Sequence, residues 1–276
     1  MDKNQIRERI YSCETEDDIK QLVEERIYEL EQNSEEETIG QGYTDIFKGF
    51  ISSKVHYKPA AKFGDIDCPD LLYDDINDYI NLVEELRKNS YYNFTTLFST
   101  IFFMMEKELK TGDKMDRYFL YSKNKDFGRV SIKEIKDFSC AFCSERAGMS
   151  HNMFKFLGMD SQLISGTRDG INHAYNIVFP NGYDHEPAVL FDPSFHIDYI
   201  NQRKQKISFG YFIPLTKDNY DKMLLGETVL LDLEKSSEKL NNLYSLNERF
   251  SDYELCNKSC SYGIGINNTK DNRKVL

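Results

Sequence analysis

The chain has 276 residues, 40% of them hydrophobic and 13% aromatic, with no Trp, a composition that excludes disorder and low-complexity repeats. Its 46 acidic and 35 basic residues leave a net charge of −11, a field that repels phosphate backbones and argues against a nucleic-acid partner. The densest apolar run, Ile101 to Met105, is far short of the roughly 20 residues that span a bilayer, so no membrane span is expected.

In chain order, the first expected element is an amphipathic helix on which Ile19, Leu22, Val23, Ile27 and Leu30 recur at helical spacing, with Thr15 and Asp18 set as a capping box. A polar loop from Asn33 to Thr38 follows. Residues 1–50 carry 14 acidic and 6 basic residues, so this region holds most of the net charge. It reads as a solvated helix face or as an acidic arm for a basic partner surface. Further helices are expected over Asp75–Lys88, Asn93–Lys110 and, behind a Ser131–Glu134 capping box, a short stretch to Phe138. Residues 1–130 therefore read as a mainly helical region.

The pattern changes after residue 131. A helix over Cys143–Leu157 ends at Gly158. Short β-rich runs follow at Gln162–Ser165, Asn172–Phe179, Ala188–Asp192 and Ile207–Ile213, with Pro180-Asn181-Gly182 as a turn between the second and third. Lys217–Leu225 and Ser236–Phe250 read as helices again. The order is that of an α+β protein: a helical N-terminal half, then a helix packed on an antiparallel sheet over 131–276 with a helical C-terminal extension, as two units or one continuous domain.

The chemistry concentrates between Cys143 and Asp192. A Cys in the first turn of a helix faces unpaired backbone N–H groups, which favour thiolate, the nucleophilic form. His151, two turns further on, lies about 12 Å along the helix and cannot serve that thiol, so it reads as structural or surface. His173 opens a strand on which His173, Tyr175 and Ile177 share a face. Asp192 ends the returning strand, where a carboxylate can orient the imidazole and support its charge.

Cys143, Ala147, Phe154, Leu157-Gly158, Ser165-Gly166, His173-Ala174-Tyr175 and Asp192-Pro193-Ser194 together resemble the transglutaminase-like superfamily, a branch of the papain-like cysteine enzymes. The resemblance covers roughly residues 140–200. It implies a transglutaminase-like core with Cys143 as nucleophile, His173 as general base and acid, and Asp192 as the orienting carboxylate. It also implies attack on a protein or peptide amide, as protease, deamidase or transglutaminase, with no cofactor and no metal. The family usually has Trp where Tyr175 stands, and often an upstream aromatic or Gln beside the oxyanion. Tyr118 and Tyr121 are the candidates here.

Other readings stay open. Cys140, Cys143, Cys256 and Cys260 could form a zinc site of four thiolates. Cys140 and Cys143 could be a redox pair, and His185 or His196 could replace His173 as base. A protein that keeps the fold only to bind a partner is a further alternative. The first residues lack the apolar segment of a signal peptide, so a cytoplasmic location is expected, with signal-independent export open. Six Cys in 276 residues are too few for a disulfide scaffold.

Overall fold

Local signals set most element boundaries in the computed structural model, which describes residues 1–33, 46–52, 55, 57–59, 62–89, 94–125, 127–183, 188–234 and 253–265. Asp2 caps helix α1 (Lys3–Ser12). Thr15 opens α2 (Glu16–Gln32) through a reciprocal pair: the Asp18 N–H donates to the Thr15 hydroxyl at 3.1 Å, and the Thr15 N–H to the Asp18 carboxylate at 2.8 Å. Ile19, Leu22 and Val23 of α2 are buried, while Glu16, Asp17, Glu24 and Glu25 face solvent. The acidic stretch is thus a packed helix with a charged outer face over its described part. The polar loop expected to follow it lies outside the described residues from position 34 onward.

Helices α3 (Ile76–Lys88) and α4 (Phe94–Glu108) match the expected stripes, and α5 (Lys114–Asn124) adds one that the sequence did not suggest. The first 130 residues are not only helical, however. Strands β1 (Ile46–Phe47), β2 (Lys62–Phe63), β3 (Ile66–Asp67) and β4 (Asp70–Leu72) lie among the helices, and β5 (Arg129–Ser131) pairs in parallel with β4. Runs of two or three residues are too short to show a period-2 pattern, so they escape detection from sequence. Ser131 then caps α6 (Ile132–Asp137), as its pattern predicts.

Helix α7 (Cys143–Phe156) ends where Gly158 takes φ +73°, a left-handed turn that glycine adopts without strain. It packs on an antiparallel sheet built from β6 (Asp160–Arg168), β7 (Ile171–Phe179), β8 (Ala188–Asn201) and β9 (Lys206–Leu215). Helix α8 (Lys217–Leu224) follows. The sheet continues through β10 (Val229–Asp232), β11 (Tyr253–Leu255) and β12 (Ser259–Ile264), and β1 joins it against β6.

Of the expected helical C-terminal extension, α8 matches the first stretch, Lys217–Leu225. Beyond α8 the named elements of the described chain are strands, while the stretch read as helix over 236–250 lies outside the described residues. In β12 the exposed, buried, half-buried, buried order of Ser259, Cys260, Ser261 and Tyr262 is a strand alternation that the Ser-rich composition disguised. One buried core runs through both halves of the chain, from Ile6 and Leu22 through Phe98 and Phe154 to Tyr262, and crosses residue 130.

Candidate active site

Helix α7 is fixed along its length before any chemistry enters. Asn176 of β7 donates from Nδ2 to the Ala147 carbonyl at 2.9 Å and accepts from the Ser150 hydroxyl at 3.0 Å. Gly148 lets Tyr73 approach: a Cβ there would lie 2.0 Å from the Tyr73 oxygen. At the far end Arg26 of α2, almost fully buried, donates to the carbonyls of Phe156 at 3.0 Å and Lys155 at 3.1 Å. A cation there satisfies orphan carbonyls and suits the helix dipole. At the near end the buried Glu145 carboxylate accepts from the Phe142 N–H at 2.9 Å, the Ser144 hydroxyl at 3.0 Å, the Tyr121 hydroxyl at 3.2 Å, and Arg117.

Cys143 is the first residue of this helix and is partly exposed. Strand β8 pairs with β7 only as far as Phe191 opposite Asn176, so the edge of β7 is left open around Ala174. The start of α7 fills that gap, where the Ala174 N–H and the His173 ring act on the Cys143 sulfur and lower its pKa. The next register step would set Asp192 opposite Tyr175, which shares a face with His173. His173 Nε2 accordingly donates to Asp192 Oδ2 at 2.8 Å, leaving Nδ1 for the thiol. Three residues separated by up to 49 positions are thus brought together, with His173 and Asp192 hydrogen-bonded and His173 acting on the Cys143 thiol.

Asp192 is fully buried and heavily solvated by protein. Besides His173, its Oδ2 accepts from the Tyr262 hydroxyl at 2.7 Å and from Arg168 at 3.4 Å, and its Oδ1 from the Ser194 N–H at 3.0 Å. Arg168 and Tyr262 stand opposite each other in β6 and β12. That pairing depends on Gly166, where a Cβ would meet the Gly263 carbonyl oxygen at 2.1 Å. The Arg168 guanidinium lies 3.3 Å from the centre of the Phe195 ring, and Phe195 packs edge-on against His173 at 5.2 Å.

The electrostatics follow from these contacts. Burial disfavours the Cys143 thiolate, but the hydrogen bond and charge of His173, with the Ala174 N–H, outweigh it and lower the thiol pKa. Burial likewise opposes the imidazolium of His173, yet the charge and hydrogen bond of Asp192, joined by Cys143, raise its pKa to about 10. Burial pushes Asp192 up, and His173, Arg168 and Tyr262 together hold it below the usual carboxylate range. The arrangement shifts Cys143 towards thiolate and His173 towards imidazolium, a pairing suited to attack on an electrophilic carbon.

The remaining sequence candidates fall elsewhere. His151 is buried, with Ser161 Oγ 3.0 Å from Nδ1 and the Gly49 carbonyl 2.6 Å from Nε2, and burial lowers its pKa to about 3. It is a neutral structural ring. His196 lies beyond the bulge after Asp192 and pairs with Glu106 at 2.7 Å, while His185 is outside the described residues. Tyr121 is committed to Arg117 and Glu145, and Tyr118 faces Asp65, so neither candidate oxyanion donor is open.

The four cysteines of the zinc reading do not converge. Cys140 is buried near the Ile135 carbonyl, Cys256 is exposed, and buried Cys260 contacts the Tyr211 hydroxyl. Among the described residues no group of three His, Cys, Asp or Glu is placed to hold a metal ion. Likewise, no helix among them is long and apolar enough to cross a membrane.

Arg168 and Tyr262 were missed from sequence, as was the Arg117–Glu145 pair. Only the last left a local trace, a Glu three residues after the helix cap. Comparisons with family models, with curated proteins and with solved structures return no match to the chain, so the functional reading rests on this geometry.

Proposed function

We propose that this protein is a cysteine-dependent acyl-transfer enzyme of transglutaminase-like type. The observation that carries the proposal is the row Cys143–His173–Asp192, in which a partly exposed thiol at a helix N-terminus meets an imidazole braced by a buried carboxylate.

In this reading the Cys143 thiolate attacks the carbonyl carbon of an amide. A sulfur–carbon bond forms while the carbonyl π pair moves to oxygen. The imidazolium of His173 then gives its proton to the departing nitrogen, the C–N bond breaks, and a thioester remains. Water or an amine, relieved of a proton by the now neutral His173, attacks the thioester and restores the thiol. Asp192 holds one tautomer of the ring and stays ionised throughout. No step in this sequence calls on a metal or organic cofactor.

Protein or peptide amides are the proposed substrates. Peptide hydrolysis, side-chain deamidation and transamidation share the first half-reaction and differ in the acceptor. Mass spectrometry of a mixed peptide pool, incubated with the protein or with Cys143→Ala, separates them: a cleaved chain, a one-dalton gain or a cross-link respectively. The expected result is one of these changes, present only with the wild-type thiol. A pool unchanged by the wild-type protein, with no acyl group retained on Cys143, would overturn the proposal.

A further inference from the structure

A guanidinium drawn into the body of a protein is normally met by a carboxylate, because a desolvated cation is costly without a partner charge. Arg26, Arg117 and Arg168 follow that rule, on Glu29, Glu145 and Asp192 respectively. Arg146 of α7 does not. It is half-buried, and its Nε and Nη1 donate to two backbone carbonyls, those of Leu109 at 2.8 Å and Pro193 at 3.3 Å. Among the described residues no carboxylate lies within ion-pair distance of it, and its Nη2 has no hydrogen-bond partner. Glu106, the acid whose charge acts on it most, is paired with His196 at 2.7 Å. Burial pulls the Arg146 pKa below its ordinary value.

The helix and the turn it grips set its place. Residues three apart share a helix face, with Cβ atoms about 5–6 Å apart, and helical side chains lean back towards the N-terminus. Arg146 therefore leans towards the turn that carries Cys143. Pro193, whose carbonyl it holds, directly follows Asp192. The guanidinium thus reaches from the helix of the cysteine to the corner of the orienting carboxylate, and the charges of both Cys143 and Asp192 act on it. Its Nη2 is not fully covered, in contrast to the unpaired Nε of Arg117. A brace between two carbonyls needs donors but no charge. Here a cation is fixed beside the nucleophile with one nitrogen open and no carboxylate bonded to it.

We infer that Arg146 is a specificity-determining residue that binds a carboxylate of the substrate beside the amide attacked by Cys143. This inference rests on the acyl-transfer reading and gives it a substrate class, acidic peptides. The Nη2 of Arg146 donates a charge-assisted hydrogen bond to that carboxylate, and both groups stay ionised.

Two alkylating reagents of similar shape and different charge test the role. With iodoacetate and iodoacetamide alike, the thiolate pair forms a sulfur–carbon bond, the carbon–iodine bond breaks, and iodide leaves. Both meet the same thiolate, so changes in its pKa or exposure cancel in the ratio of their rates. Measured by peptide mass mapping at neutral pH, the iodoacetate-to-iodoacetamide ratio at Cys143 should exceed that at exposed Cys256 roughly 10-fold. Arg146→Gln should lower the Cys143 ratio roughly 10-fold and leave that of Cys256 unchanged. Arg146→Lys, a point charge without the planar fork, should lower it less.

A wild-type ratio at Cys143 no higher than at Cys256, or one untouched by either substitution, would overturn the role of Arg146 and leave the acyl-transfer reading intact. In the peptide pool, modified amides flanked by Asp or Glu would assign the carboxylate to a side chain, and modified C-terminal residues to an α-carboxylate. Modification without regard to a neighbouring acid would overturn the inference. A Cys143 that reacts no faster than Cys256 with either reagent would instead remove the acyl-transfer reading, and the inference with it.

Discussion

His173 and His151 lie on elements packed against each other, His151 fully buried and the His173 side chain only 8% exposed, yet their surroundings drive them to opposite charge states. His173 is wedged between a carboxylate and a thiol, and its pKa rises to about 10. His151 lies between a carbonyl and a hydroxyl with Lys155 nearby, and its pKa falls to about 3. Burial penalises the cation at both positions, so the difference is made entirely by partners. An imidazole in the interior is a reactive group or an inert filler according to whether a compensated carboxylate stands beside it.

The largest effect should come from removing the charged ring. In His173→Ala the Cys143 thiol loses its counter-ion and reverts towards an ordinary thiol, whose pKa is about 8.5. Alkylation of Cys143 by iodoacetamide at pH 6 should slow about 100-fold, with exposed Cys256 as the internal control. Unchanged selectivity, measured by peptide mass mapping, would show that His173 does not set the thiol's state.

A smaller effect is expected from loosening the carboxylate side of the same ring. Gly166→Ala forces a Cβ against the Gly263 carbonyl, so β12 must shift and carry Tyr262 away from Asp192. Denaturant unfolding should show a loss of about 1–3 kcal/mol, the usual cost of overpacking. Alkylation at neutral pH should slow with it, whereas wild-type stability would mean that the two strands separate freely at this point.

The mildest test reads both rings at once through pH. His151 is neutral in the fold but charges near pH 6.5 when unfolded, so its contribution is full above that pH. It is lost as pH falls towards about 3, with a slope of up to about 1.4 kcal/mol per pH unit. His173 acts in the opposite sense: its contribution is full below about 6.5 and is lost as pH rises through about 10. Cys143, with a lowered pKa, contributes stability above about 8.5 that is lost as pH falls through its folded value. Where their ranges overlap between roughly 6.5 and 8.5, the His173 and Cys143 slopes oppose each other, which flattens the profile towards a plateau. Cys143→Ala should tilt that plateau downward with rising pH, as urea midpoints at pH 6.5 and 8.5 would show. A level plateau in the variant would mean that Asp192 alone does not hold the proton on His173.

How much of this was visible in the sequence depended on distance along the chain. The start of α7, its stop at Gly158, and the strands of His173 and Asp192 are written in capping and alternation signals within a few residues. The supports of Asp192 are not. Arg168 and Tyr262 meet only because β12 pairs with β6 across 94 positions, and its register relies on a close contact between two glycines. Tyr118 and Tyr121 looked equally suitable as aromatic residues before Cys143, and only the folded chain shows their hydroxyls to be in use.

The two anchors of α7 have a mechanical consequence. Arg26 grips the last carbonyls of the helix and Glu145 the N–H of its cap residue Phe142, so the helix behaves as a strut clamped at both ends, with Cys143 at one tip. One clamp is supplied by a residue 117 positions upstream of that tip. The N-terminal helices therefore act as a brace for the helix that carries the sulfur, and a cut between the two halves of the chain would be felt first as play in its aim.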